Sequence, residues 1–391
     1  MNHKSENGIL TVWLSGRIDS ENAAAIEKKL GDIRAANPAE SVILDCEKLE
    51  YVSSAGLRVI LRTKKAVPDT RLVNVSDAVY DILEITGFTE MMKIERAYRE
   101  ISVEGCEVIG QGANGKVYRI SQDTVVKVYR NPDALPEIRR ERELARTAFV
   151  LGVPTAIPYM VVRIKGGGYG SVFELLNATN FAKLLIRGEF PLEKVAEMSI
   201  ELLRIIHGTE VKPDSVPSMR EIAIGWADDL KGHLPVELFQ KLYRLIENVP
   251  EDMHMLHGDF HLKNITRQGD ENLILDMDTL SHGHPVFEFA SMYNAYCGFS
   301  DPDHEAVKRF LGIDRETSVR FWRKSLELYL GTTDEQTVRA VEDKAMVVGY
   351  TRLLRRRIRR NGYDTEEGRR EIACYRARLC ELLPRTDSLV F

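Results

Sequence analysis

The stretch Met255–Thr279, MLHGDFHLKNITRQGDENLILDMDT, decides how this 391-residue chain is read. His257-Gly258-Asp259 is followed by Asn264, giving H-G-D-x-x-x-x-N. An apolar strand is predicted next, at Leu273–Leu275, and Asp276 follows it directly. Phosphoryl transfer asks a protein for positioning and charge neutralisation more than for covalent chemistry. In that reading Asp259 accepts or orients the proton of a substrate hydroxyl. Asn264 and Asp276 offer oxygen ligands to magnesium, a hard cation that favours them. His257 packs and hydrogen-bonds the loop. Asp278 either helps with metal or caps a turn, and stays outside the core set.

Working upstream, Gly110-Gln111-Gly112-Ala113-Asn114-Gly115-Lys116-Val117 fits G-x-G-x-x-G-x-V. Glycines let backbone approach a triphosphate where a Cβ would clash. The loop runs on into a second strand, whereas a dinucleotide fold needs a helix there. Lys127 lies in the apolar strand VVKVY, where an unpaired ammonium is costly. Its expected work is to hold phosphates and pair with a glutamate on the next helix, predicted over Ala134–Leu151. Glu143 is the preferred partner and Glu141 the alternative. Two more strands, Tyr159–Ile164 and Gly170–Leu175, precede a mostly helical remainder.

These residues resemble the aminoglycoside phosphotransferase and choline-kinase-like superfamily over about Cys106 to Phe391. H-G-D replaces the H-R-D of protein kinases, no D-F-G follows, and no long segment ends in A-P-E. The resemblance implies ATP and magnesium as cofactors and a bilobal α+β protein-kinase-like fold. It makes Gly110, Gly112, Gly115, Val117, Lys127 and Glu143 nucleotide-binding, with Phe173 before the hinge and Glu174 to Leu176 meeting adenine. Where the superfamily often has aspartate, Glu288-Phe289-Ala290 stands here, so local bracing is expected to differ.

The front of the chain alternates strand and helix signals: Ile9–Leu14, a helix capped by Asp19 or Ser20 to about Leu30, and Ser41–Asp45. A helix opening at Ser53-Ser54-Ala55-Gly56, the strand Arg71–Val75 and the helix Val79–Ile85 complete it. This pattern makes a small α/β domain. Gly16-Arg17-Ile18-Asp19, the run Leu44–Leu61 and Val75–Phe88 resemble a STAS domain, the fold of bacterial anti-sigma factor antagonists. In that family a serine at the helix N-terminus can be phosphorylated. Ser54 aligns with it, and Ser53 stands where many members have aspartate. Either serine can cap the helix.

The expected organisation is a STAS domain at 1–98, a linker at 99–105 and a phosphotransferase domain at 106–391, with lobes at 106–174 and 177–391. Hydrophobic residues make up 44% and charged residues 29%, an ordinary globular profile. A net charge of −5 gives no basic excess for nucleic acid, even with the run RLLRRRIRR at 352–360. That run is read as a solvated helix face, or as a site for an anionic substrate or partner. Five scattered cysteines without a CxxC pair fit reduced thiols in a cytoplasm. No apolar run reaches the ~20 residues of a membrane span, and MNHKSENGIL carries no signal-peptide core.

Three functions compete. The first is transfer of the γ-phosphate to a small-molecule hydroxyl, with the STAS domain regulatory. The second is a protein kinase acting on Ser54 in cis or in trans. The third is a pseudokinase scaffold serving a STAS or anti-sigma partner, against which the retention of Lys127, Asp259, Asn264 and Asp276 argues.

Overall fold

The computed structural model describes residues 1–112 and 115–391; Ala113 and Asn114 of the glycine-rich stretch lie outside the described residues. The chain divides into two compact units, Met1–Ser102 and Val103–Phe391.

The first unit is a five-stranded sheet in the order β1 (His3–Glu6), β2 (Ile9–Ile18), β3 (Ser41–Val52), β4 (Asp69–Val75), β5 (Ile94–Arg96). β1 pairs antiparallel with β2; the remaining pairs are parallel. Alternation along β2 buries Leu10, Val12 and Leu14. β3 runs to Val52, well past the predicted Asp45. Two register shifts against β2, between Trp13 and Ser15 and between Gly16 and Arg17, let the pair continue through the bend.

Helix α1 (Ala23–Ala36) starts later than predicted. Asp19 to Asn22 forms a turn of its own, with the Asp19 N–H donating to Asn22 Oδ1. Helix α2 (Ser54–Ala66) opens on Ser53, whose hydroxyl accepts from the Ala55 N–H at 3.2 Å. A Cβ on Gly56 would sit 2.9 Å from the Ile18 carbonyl oxygen, so the helix start packs closely on β2. Helices α3 (Asp77–Ile85) and α4 (Phe88–Met91) follow, and then a short strand β6 (Glu100–Ile101).

In the second unit β7 (Val108–Gln111), β8 (Gly115–Arg119), β9 (Thr124–Tyr129), β10 (Pro158–Ile164) and β11 (Tyr169–Glu174) run antiparallel in the order β10-β11-β9-β8-β7. Helix α5 (Leu135–Val150) is inserted after β9. A helical part follows: α6 (Phe181–Ile186), α7 (Leu192–His207), α8 (Met219–Asp228) and α9 (Val236–Glu247), then α10 (Val286–Tyr296), α11 (Ala306–Leu311), α12 (Arg315–Leu330), α13 (Glu335–Arg359) and α14 (Glu366–Leu382). Small strands punctuate it: β12 (Thr179–Asn180), β13 (Met255–Leu256), β14 (Ile265–Gln268), β15 (Glu271–Ile274) and β16 (Ser281–His282). This is the α/β unit followed by an α+β unit with a helical C-terminal part that the residue patterns predict.

Every residue of α10 is buried, so it serves as the axle of the helical part. α13 packs along it, and Gly349 permits the closeness: a Cβ there would meet Asn294 Oδ1 at 2.8 Å. Among the described residues no helix is long and apolar enough to cross a membrane.

Candidate active site

β9 carries Lys127 opposite Val117 of β8 and Ser171 of β11. Directly opposed residues share a face of the sheet, so Val117 and Lys127 look the same way. Tyr129, two residues on, shares that face. The Lys127 Nζ donates to Glu141 Oε1 at 2.7 Å and to Asp276 Oδ1 at 3.1 Å. Tyr129 donates its hydroxyl proton to the other Glu141 oxygen. Burial alone would lower the lysine's pKa, but the charges of Asp276 and Glu141 outweigh it and the ammonium is held more firmly.

The expected partner Glu143 is therefore replaced by Glu141. Helix α5 buries Ile138, Glu141, Leu144, Ala145 and Ala148 along one stripe. Glu143 lies more than half a turn round from Glu141, exposed, where it meets Arg142 at 2.8 Å and Arg146 at 3.8 Å.

The glycines divide by necessity. A Cβ on Gly115 would fall 2.1 Å from the Val128 carbonyl oxygen, so the strand pairing itself demands glycine. A Cβ on Gly112 would meet nothing within 4 Å, and one on Gly110 would touch only Val117 at 3.6 Å. The protein's own packing gives no reason for glycine at 112; an approaching ligand would.

The H-G-D loop is held from behind. Glu288, fully buried on α10, accepts from the His257 N–H at 2.6 Å and the Gly258 N–H at 3.0 Å. Burial raises its pKa, but His207, His257 and these N–H groups more than offset that, so it stays ionised. The glutamate that replaces the usual aspartate thus braces the loop. His257 Nδ1 accepts from the Asp259 N–H, which makes Nε2 the donor to the Leu275 carbonyl at 3.0 Å. Ser291 and Arg352 both donate to the Gly258 carbonyl, at 2.8 and 2.9 Å. Gly258 sits at φ +79°, and a Cβ would press 2.6 Å from the Thr279 carbonyl oxygen.

Asp259 thereby faces Asn264 and His261. Asn264 Nδ2 donates to the Asp259 carbonyl at 3.0 Å, and His261 Nε2 lies 3.4 Å from Asp259 Oδ2. Burial pushes the Asp259 pKa up, yet His261, Arg352 and His257 together hold it well below the usual carboxylate range. The Leu275 N–H donates to the Asn264 carbonyl at 2.8 Å, tying β14 to the approach to Asp276. Asp276 itself is left-handed, φ +65°, a conformation that aspartate adopts more readily than most residues and that turns its carboxylate toward Lys127.

Asn264 Oδ1 and the second oxygen of Asp276 take no hydrogen bond among the described residues. Those two oxygens, amide and carboxylate, suit a hard cation that keeps waters and gains its other ligands from phosphate. They fit magnesium better than a metal held by protein alone: no group of three His, Cys, Asp or Glu poised for one exists among the described residues. Asp278 is drawn in as well. Burial first, then the neighbouring charge of Asp276, pushes its pKa up to about 7. With Glu141 and Tyr129 it lines a cavity of about 590 Å³ beside the lysine.

Glu174 and Leu176 occupy the bridge out of β11. The Glu174 N–H donates to Ile157 and the Leu175 N–H to Asp123, while the Leu176 N–H takes no partner among the described residues. In the first unit, Ser54 is exposed and its hydroxyl takes no partner among the described residues, because Ser53 supplies the cap.

Tyr129, Glu288 and Arg352 were not among the residues predicted for the site. The period of two along β9 pointed to Tyr129; nothing local pointed to Arg352, 94 residues from its partner.

Comparison with known proteins gives relatives for each unit. The second unit is similar to aminoglycoside phosphotransferase APH(4)-Ia, at 13% identity over 72% of this chain and 94% of that one, TM-score 0.50. A choline/ethanolamine kinase family protein from Mesorhizobium loti is 15% identical over 71% of this chain and 87% of its own, TM-score 0.47. The first unit is similar to BtrV of Bordetella bronchiseptica, 32% identical over 92 residues, 22% of this chain and 78% of BtrV. It is also similar to the anti-sigma F factor antagonist of Paenibacillus polymyxa, 25% identical over 91 residues, 22% of this chain and 78% of that protein. The STAS domain family matches residues 1–101, and the phosphotransferase enzyme family matches residues 105–322, more than half of the chain. The chain belongs to the phosphotransferase enzyme family and carries a STAS domain in front of that enzyme domain.

Proposed function

We propose that the chain is an ATP- and magnesium-dependent phosphotransferase that moves the γ-phosphate to a hydroxyl of a small molecule, with the STAS domain regulatory. The observation that carries the reading is the Glu141–Lys127–Asp276 chain of contacts ending beside the Asp259–Asn264 pair. Lys127, fixed between two carboxylates, meets the phosphates. The glycines at 110 and 112 let backbone approach them, Gly115 holds the strand pairing beside them, and the backbone from Glu174 to Leu176, with the Leu176 N–H open, receives adenine. Magnesium, when bound at Asn264 and Asp276, supplies charge neutralisation at the phosphate oxygens. Asp259, kept ionised, aligns the acceptor hydroxyl and takes its proton. The acceptor oxygen forms the new bond to phosphorus, the bond to the bridging oxygen breaks, and ADP leaves with that electron pair.

The test is label transfer from γ-labelled ATP to small hydroxyl compounds by the full chain. Label on a small molecule that disappears in Asp259→Ala supports the reading; no turnover of ATP by the intact chain defeats it. A second reading, phosphorylation of Ser54 in cis or in trans, draws on the exposure of that hydroxyl and on the cap being held by Ser53. Label on protein that is lost in Ser54→Ala would favour it. A STAS or anti-sigma partner protein is the corresponding binding partner, by likeness of the front domain to anti-sigma factor antagonists.

A further inference from the structure

The basic run at the end of α13 separates into two halves. Arg355 and Arg359 both bond Asp229, and Arg357 bonds Glu371 at 2.5 Å and Glu367 at 3.7 Å. Arg352 and Arg356, spaced by four on one stripe of the helix, and Arg360 at its C-terminal cap have no ion-pair carboxylate among the described residues. The stripe begins at the active-site loop, since Arg352 donates to the Gly258 carbonyl.

From there it continues across an aromatic floor. The Arg356 guanidinium stands 5.7 Å from the Phe299 ring centre, and Lys263, from the loop between Asp259 and Asn264, stands 5.6 Å from that of Phe310. The two rings meet edge to face at 5.7 Å, and Phe310 also packs on His261, the neighbour of the Asp259 carboxylate. Lys263 makes no ion pair among the described residues either. Of the nearby acids, Asp303 is engaged with Arg309, Asp301 with Tyr350 and Arg315, and Glu371 with Arg357, which leaves Asp259, the residue that faces the acceptor, as the carboxylate whose charge reaches Arg352 and Arg356. Burial and the like charges of Arg360 and Arg352 push the Arg356 pKa down. Three cations without an ion pair among the described residues, Arg356, Arg360 and Lys263, gathered beside a single carboxylate in a chain of net charge −5, call for an outside anion.

We infer that the acceptor is a small hydroxyl compound bearing a phosphate or carboxylate group, which Arg356, Lys263 and Arg360 receive while Asp259 takes its hydroxyl. The inference rests on the phosphotransferase reading. It counts against a polycationic acceptor, for which this face would be repulsive.

The experiment uses the full chain with magnesium and γ-labelled ATP, and three matched acceptor sets. These are glycerol 3-phosphate, glycerate and glucose 6-phosphate; glycerol and glucose; choline and kanamycin. In parallel, calorimetry with ADP and magnesium measures binding of glycerol 3-phosphate and of glycerol. The expected result is transfer at least tenfold more efficient to an anionic acceptor than to its neutral counterpart. Arg356→Glu should raise that acceptor's KM at least tenfold, while Arg359→Glu, on the paired half, leaves it within twofold. Glycerol 3-phosphate should bind where glycerol does not, and binding should be lost in Arg356→Glu. A preference between phosphate and carboxylate emerges from glycerol 3-phosphate against glycerate. Equal or better transfer to neutral or cationic acceptors overturns the inference and leaves the phosphotransferase reading standing, as does label confined to protein without anion binding. Anion binding that Arg356→Glu abolishes, with no transfer to any acceptor, upholds the anion site and defeats that reading instead.

Discussion

Two tight turns in this chain look alike and are made for different ends. In the front domain, Ser53 to Gly56 opens α2; in the enzyme domain, His257 to Asp259 opens the H-G-D loop. Each contains a glycine jammed against backbone, Gly56 at Ile18 and Gly258 at Thr279. Around Gly56 everything serves the fold: Ser53 satisfies N–H groups and the apolar face of α2 is buried. Around Gly258 the fold works against itself. Asp276 and Glu141 share one lysine, the charges of Asp276, Glu141 and Asp259 press on Asp278, Asp276 is left-handed, and a glutamate is wholly buried to hold two N–H groups. Strain and uncompensated charge persist where something outside the fold completes them.

The sharpest way to break the contrast is Asp259→Asn. Loss of the base should lower kcat about 10²–10⁴-fold. Stability should fall far less than activity: His261, Arg352 and His257 favour the charged carboxylate, so some stability is lost with it, but asparagine keeps the size and one oxygen acceptor. Stopped-time label transfer and urea unfolding read the two together. A variant that loses activity and stability in step would make Asp259 a structural residue.

Glu288→Ala comes next. It strands the buried His257 and Gly258 N–H groups, and the penalty should be about 3 kcal/mol in urea unfolding of the enzyme domain. Glu288→Gln keeps an acceptor and should recover part of that. A cost near zero for the alanine would mean the loop needs no brace.

The glycine loop gives a smaller effect split in two. Gly115→Ala drives a methyl into the Val128 carbonyl and should cost about 1–3 kcal/mol. Gly112→Ala meets open space and should leave unfolding unchanged while weakening ATP binding, read by nucleotide titration. If both behave alike, the loop is only a hairpin.

What was legible in the residues follows from the same contrast. The H-G-D-x-x-x-x-N run and Asp276 are close in sequence and carry the oxygen-bearing side chains that phosphate and metal chemistry needs, so chemistry and place are read together. The two-unit architecture follows from strand and helix alternation giving way to long helices. The choice between Glu141 and Glu143 was also readable: Ile138, Glu141, Ala145 and Ala148 repeat at helical spacing, and Glu143 falls off that stripe. The bonds of Arg352 and Glu288 were not, because α10 and α13 bring them to the loop from about 30 and 94 residues away. Nor could the run at 352–360 be divided from sequence, since Asp229, Glu367 and Glu371 select its paired members only in the folded chain.

The smallest effect tests the other turn. Ser53 Oγ accepts from Ala55 at 3.2 Å and from Gly56 at 3.5 Å, so Ser53→Ala should cost ~1 kcal/mol in unfolding of the front domain. Ser54 is the first helical residue, exposed, with no cap duty left, and Ser54→Ala should change stability by only a few tenths of a kcal/mol. A neutral outcome there separates the two serines: the fold needs the first and has no use for the second. Should Ser54→Ala prove as costly as Ser53→Ala, the pair would act as one cap. The free hydroxyl at 54 would then stop marking a place where the front turn, like the loop behind it, waits for chemistry from outside.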